Sequence, residues 1–247
     1  MFSLIVSLPG PLVKTDRGLV SWNQTCLNIS MHNWLPALML CTCALAQDTY
    51  YFPCTEQQRG PRSIDGPVLA SPDSAWQAHA RVQADTYNPH LPHGDCFNTT
   101  SLLLKGPGDS SFQPVYVKKP EPYLQGNGLK LVAWSHQGHV LAAELFCFQY
   151  ASDAGGFSLL LRDAEKKRTW EPDLRAMFSR RFGKECEFTF ARALGFDERD
   201  RVLFEADDYY EIGDDTPVPA TRCLGHRGIW ALDINAEKVS EVPPDKR

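Results

Sequence analysis

Residues 128–163 run apolar for most of their length, with short polar breaks. Residues 129–134 (LKLVAW) end in the turn Ser135-His136-Gln137-Gly138. Residues 140–148 form a second apolar run, and residues 157–161 a third, closing on Arg162-Asp163. Branched and aromatic side chains between Gly, Ser and Asp breaks predict strands of a buried sheet. Arg168-Thr169-Trp170 supplies a short fourth. The same order occurs on either side. Upstream, residues 68–70 make a short strand and a turn follows. Then Trp76, Ala78, Ala80 and Val82 alternate with Gln77, His79 and Arg81, which gives one apolar face at period two. Strands at 100–104 and 114–118 follow. Downstream come residues 188–196, the turn Asp197-Glu198-Arg199-Asp200, then 201–205, 228–233 and 238–242.

Ser71 and Ser135 lie 64 positions apart, and Ser135 and Asp197 lie 62 apart. A near-constant period with four strands inside it predicts a repeat architecture. The expected fold is all-β: three antiparallel sheets of three to four strands, in units at about 68–118, 128–170 and 186–242. One helix interrupts them. Pro172 and early acids, Arg180 and Arg181 late, and Gly183 at the end predict a helix over 172–182. Leu174, Met177, Phe178 and Phe182 would form its apolar face.

Residues 34–46 (WLPALMLCTCALA) are uncharged and apolar and end in Ala44-Leu45-Ala46, the layout of a secretory signal peptide. Met31 is a natural initiator, so residues 1–30 read as an upstream extension and 31–46 as the signal. A single β-repeat domain then spans 47–247, with 47–67 as an irregular lead-in. This places the protein outside the cytoplasm, secreted or periplasmic. The mature chain keeps Cys54, Cys96, Cys147, Cys186 and Cys223. Cys147 sits inside an apolar strand and reads as a buried thiol. The others lie near turns and strand ends, where an oxidising compartment pairs cysteines. Cys186–Cys223 is expected within the third unit, and Cys54–Cys96 beside it.

A formal net charge of -5 over 247 residues carries no electrostatic footprint for nucleic acid or anionic membranes. No apolar run reaches the roughly 18 residues of a membrane span.

The stretch Ser71-Pro72-Asp73-Ser74-Ala75-Trp76-Gln77-Ala78 resembles the turn and following strand of TolB-type β-propeller repeats. Residues 159–166 and 229–236 resemble the later strand and hairpin of the same repeat. The resemblance spans about 68–242 and implies propeller blades. It also implies a binding or scaffold role outside the cytoplasm, not catalysis. Closed propellers use about four to eight blades, whereas three units are found here. The array would then close tightly, be completed by the N-terminal segment, or associate with another chain, so self-association is an expectation.

The chain has no G-x-S-x-G elbow, P-loop or dinucleotide fingerprint. No catalytic residue, metal ligand or cofactor is therefore assigned. Five carboxylates between Asp207 and Asp215 make an oxygen-rich loop of the kind that holds Ca²⁺, without EF-hand spacing. His90, His93 and Asp95 could ligate Zn²⁺ or Cu²⁺, and His136 and His139 flank the central turn. The leading reading is a non-enzymatic module that binds a protein, peptide or glycan. The rival is a metal-assisted or carboxylate hydrolase using the His/Asp loop or the acidic loop. The binding surface is expected on the long loops between second and third strands. Those loops carry Tyr87, His90 and His93, then Tyr150 and Asp153, then Tyr209, Tyr210, Asp214, Asp215 and Arg222. Tyrosines beside charges compose a polar interface with aromatic anchors. Asn98-Thr99-Thr100 is a glycosylation sequon in a eukaryotic secretory host.

Overall fold

A computed structural model describes residues 61–85, 97–120, 126–148, 155–208 and 222–243. The expected signal peptide and upstream extension, and most of the lead-in, lie outside these residues. Among the described residues, no helix is long and apolar enough to cross a membrane.

The fold is all-β with one helix. The first sheet contains β1 (Arg62–Asp65), β2 (Leu69–Ala70), β3 (Gln77–Ala84), β4 (Asn98–Lys105) and β5 (Gln113–Lys118). The second contains β6 (Gly126–Trp134), β7 (Val140–Phe148), β8 (Gly155–Asp163) and β9 (Arg168–Trp170). The third contains β10 (Phe188–Phe196), β11 (Val202–Asp208), β12 (Gly228–Asp233) and β13 (Lys238–Glu241). Helix α1 (Leu174–Phe182) connects the second sheet to the third. Strands follow one another across each sheet, and every pair is antiparallel. Three such meanders in series are the repeat pattern expected from the period.

The lead-in is a correction. Gly66 and Pro67 suggested irregular chain, yet β1 and β2 are two halves of one edge strand lying along β3. Pro67 has no N–H to give the ladder, so pairing lapses there. The Gly66 N–H still reaches the Ala80 carbonyl at 2.7 Å. The first strands of the other sheets also slip register, once in β6 and twice in β10.

The turn after each first strand explains the period. Ser71, Ser135 and Asp197 each receive a bond from the residue three positions on: Ser74, Gly138 and Asp200. Those three residues have φ of 60°, 79° and 56°. The Ser71 and Ser135 hydroxyls and the Asp197 carboxylate accept from the backbone N–H that opens the next strand, at Trp76, Val140 and Arg201. Short side-chain acceptors that cap their own turn are what this geometry selects.

The second sheet lies between the other two. Leu141, Ala143, Leu145 and Leu160 pack toward the first sheet, with Ala78, Ala80, Leu102 and Leu104. Ala142, Leu159 and Leu161 face the third, with Phe190, Phe204, Trp230 and Leu232. Helix α1 adds Phe178, fully buried, whose ring centroid lies 4.6 Å from Phe188 and 4.9 Å from Trp230. Burying a side chain of this size stabilises by about 2–3 kcal/mol. Asp173 caps the helix by accepting the Ala176 N–H, and Gly183 ends it at φ 67°. Only Leu174, Met177 and Phe178 of the expected apolar face are buried; Phe182, in the last turn, is 37% exposed.

Cross-sheet polar contacts fix the alignment. The Trp134 indole donates to the Leu69 carbonyl at 3.1 Å, and the Asn127 amide donates to the Asn98 and Lys118 carbonyls at 3.4 and 3.3 Å. The buried Glu144 on β7 accepts the Ala193 N–H at 2.5 Å, where the slips in β10 interrupt its ladder. Asn98 of the sequon is fully buried.

Candidate functional site

The first turns of the three sheets come together at one end. The Asp200 carboxylate accepts the His136 and Gln137 backbone N–H groups at 2.6 and 3.3 Å and lies 3.0 Å from His136 Nδ1. A side chain built on Gly138 would meet Asp73 of the first turn at 3.1 Å. The hairpins β8–β9 and β12–β13 share this end. Each is capped by a strand-terminal aspartate: Asp163 accepts the Lys166 N–H at 2.9 Å, and Asp233 accepts the Ala236 N–H at 2.8 Å. Burial alone would raise the Asp163 pKa. The Lys166 N–H and ammonium, the latter 3.1 Å away, outweigh it and hold the carboxyl below its usual range.

A groove runs between these hairpins. Its larger part, about 430 Å³, is floored by Leu161, Leu232, Met177 and Trp170 and reaches the capped N-terminus of α1. A smaller part of about 150 Å³ continues to the turns at Ser135 and Asp200. The two share Asp163, Lys166, Ile234 and Asn235, so they form one line across the end of the second and third sheets. Arg168 stacks on Trp170, 4.6 Å from the ring centroid, and Arg180 donates to the Glu237 carbonyl at 3.2 Å. Arg168, Arg180 and Glu237 are exposed along the rim.

Glu171 marks the outer side. Its carboxylate accepts the Tyr116 hydroxyl at 2.9 Å and the Ser158 hydroxyl at 3.2 Å, with Lys118 3.8 Å away. Burial first, and then this bond, push the Tyr116 pKa far up. These groups tie β5 of the first sheet to β8 and the residue that follows β9 in the second. Among the described residues, no group of three His, Cys, Asp or Glu side chains is placed to hold a metal ion. His136 is engaged by Asp200, and the His139 carbonyl accepts the Ala164 N–H at 2.8 Å.

Most of the loop residues singled out in the sequence lie outside the described residues. These are Tyr87, His90, His93 and Asp95, then Tyr150 and Asp153, then Tyr209, Tyr210, Asp214 and Asp215. Cys54 and Cys96 lie outside too. Arg222 is described at the foot of the third loop, bridged to Glu187 through backbone, with its carbonyl accepting from Lys184 at 2.5 Å. Of the acidic loop, Asp208 accepts the Leu224 N–H at 2.9 Å. Cys186–Cys223 is present as expected, with Cα atoms 5.4 Å apart; it ties the start of β10 to the return of the third loop. Cys147 keeps its thiol but is only half-buried. The groove drew no notice in the sequence, because it joins residues about 70 positions apart. The one readable signal was that Asp163 and Asp233 recur at equivalent hairpins.

Strand order, register and the recurring turn define a β-propeller-like repeat protein with three described sheets. No protein-family model matches the chain, and no curated protein matches it. Among solved structures, it is similar to the crystal structure of TolB from Acinetobacter baumannii. The two share 12% identity at a TM-score of 0.34, over 71% of this chain and 32% of that one. The chain thus spans about a third of the length of that protein. At this level the similarity carries no argument of its own, and the blade reading rests on the turns and registers above.

Proposed function

We propose that this chain is a secreted or periplasmic, non-enzymatic binding or scaffold module whose ligand is a protein, peptide or glycan. The groove across the second and third sheets carries the reading. It joins an apolar floor to a charged rim, the composition of a recognition surface. The disulfide supports an oxidising compartment, and the apolar run at 34–46 supports export.

Two measurements test it. Mass spectrometry of the protein from an exporting host should find Gln47 at the N-terminus. Purified protein screened against peptide and glycan collections should bind one class reproducibly, without turning over model esters or phosphoesters. Stoichiometric zinc, copper or calcium by elemental analysis, with hydrolysis lost on chelation, would overturn the reading in favour of the hydrolase.

A further inference from the structure

We propose that Glu241 is the moving part of a pH-sensitive switch. Its carboxylate is held by His226 while that imidazole is protonated, and turns to the buried indole N–H of Trp230 when the proton leaves. The third sheet then grips helix α1 differently on either side of the imidazole's titration. This inference is independent of the ligand reading above.

The unanswered donor comes first. Trp230 is 2% exposed, and its Nε1 has no hydrogen-bond partner. A buried donor left unpaired carries the full cost of its lost hydration. The same ring is the surface on which α1 rests. Phe178 lies 4.9 Å away and Phe182 6.2 Å away between centroids, and the Arg181 guanidinium sits 5.3 Å from the ring centre. Whatever satisfies the indole N–H therefore bears on how the helix is held.

The acceptor is beside it. Glu241 is the cross-strand partner of Trp230 in the β12–β13 ladder, so the two side chains leave the same face. Gly228, two positions before Trp230, shares that face and leaves a gap. A Cβ built there would lie 3.5 Å from Trp230 Nε1 and 3.6 Å from both Glu241 Oε1 and His226 Nε2. Three polar groups thus converge on one point. In the structure Glu241 Oε1 lies 2.9 Å from His226 Nε2. The His226 and Glu241 side chains are 62% and 40% exposed, so their pairing contributes little to global stability. A rotation of the Glu241 side chain exchanges one partner for the other.

Imidazoles exchange their proton between about pH 5 and 8, and its loss removes the charge that attracts the carboxylate. The charged groups of the surrounding elements are engaged elsewhere. Arg181 of α1 donates to the Val239 carbonyl at 3.4 Å. Arg227, beside Gly228, donates to Glu205 of β11 at 2.8 Å, and Asp208 accepts the Leu224 N–H at 2.9 Å. Titration of His226 is thus left to decide which group holds Glu241.

The test is NMR of the full chain, isotope-labelled at the tryptophan nitrogens and followed from about pH 5 to 8. The Trp230 indole resonance is assigned by its through-space contacts to Phe178. It should move downfield as pH rises, with one midpoint, and the Phe178 and Phe182 ring protons should shift with the same midpoint. His226→Gln, at an exposed position, should hold the indole resonance at its high-pH position throughout, which a merely structural histidine would not do. Glu241→Gln should abolish the titration. An indole resonance that does not titrate, or that titrates unchanged in both variants, would overturn the switch. Phe178 and Phe182 resonances that stay fixed while the indole titrates would overturn its coupling to α1.

Discussion

In the second sheet, β7 and β8 bury side chains on both faces. In the third, β11 and β12 bury Val202, Phe204, Trp230 and Leu232 on one face; the other buries only the small Ala231, leaves Leu203 and Ile229 half-buried and carries a polar lattice beside them. There Glu205 bridges Arg192 and Arg227, both at 2.8 Å, and Arg201 joins Asp197 and Ser240. The first sheet ends similarly, with Arg81 clasping Asp65 and buried His79 set edge-on to Phe112. The meander is the same, and what differs is its supply of neighbours. Two-sided burial holds the middle sheet chiefly by packing, with a few polar contacts to each neighbour fixing its alignment. The third sheet has one apolar neighbour and relies on α1, a disulfide and ion pairs, as end repeats with polar outer faces do.

The largest effect should come from removing the staple. The loop closed by Cys186–Cys223 has a sequence separation of 37. In the chain-entropy picture, its loss costs about 4 kcal/mol. Cys186→Ala/Cys223→Ala should show this in denaturant unfolding, with β10–β13 becoming protease-sensitive first. If the second sheet opened first, the contrast would fail.

Truncation should separate the faces next. Leu160→Ala and Leu161→Ala, on opposite faces of β8, should each cost about 3 kcal/mol. Leu203→Ala, on the outward face of β11, should cost about 1 kcal/mol. Equal costs would mean that the third sheet's outer face is as buried as the second sheet's. Glu144 offers a sharper probe of their seam. Glu144→Leu strands the Ala193 N–H in an apolar setting and should cost about 2 kcal/mol, while Glu144→Gln keeps an acceptor and should recover most of it.

The smallest effect is electrostatic. Bonding to Arg227, with Arg192 adding to it, outweighs burial and holds Glu205 below the usual carboxylate range. Asp65 is held down chiefly by Arg81, and Asp197 by Arg201 and turn N–H groups against burial. Each of these groups binds its proton less tightly when folded. Their stabilisation is therefore complete above the unfolded pKa of about 4 and is lost as pH falls through the lower folded values. Stability should be flat near neutrality and decline in acid. Glu205→Gln should cost no more than about 1 kcal/mol at pH 7 after solvent screening, and the acid decline should become shallower.

Sheets and period were legible because their causes are local. Ser71, Ser135 and Asp197 cap their own turns, and each residue three places on takes the left-handed conformation, as Gly138 does most readily. The alternation of β3 and the continuous runs of β7 and β8 marked both as strands, whereas which sheet is flanked on both sides follows only from the packing. β1 was missed because Gly66-Pro67 hides that two short strands share one partner. Phe182 fits the helical period and its ring lies 6.2 Å from that of Trp230, but in the last turn it stays 37% exposed. Glu144 looks like a surface residue until the slips in β10 bring an unpaired N–H to it. The groove is the clearest case of non-local construction: Arg168 and Glu237 come to line one cavity only through the packing of two sheets, and no spacing in the chain announces that.

Residue-resolved hydrogen exchange tests the sandwiching of the second sheet most directly. The amides of β7 and β8 should exchange only through global unfolding, at the full unfolding free energy. Those of β11 and β12 should exchange through a lower-energy opening, and reducing the disulfide should widen that gap. Earlier exchange from β7 and β8, or one common exchange energy for all three sheets that persists after reduction, would contradict the account.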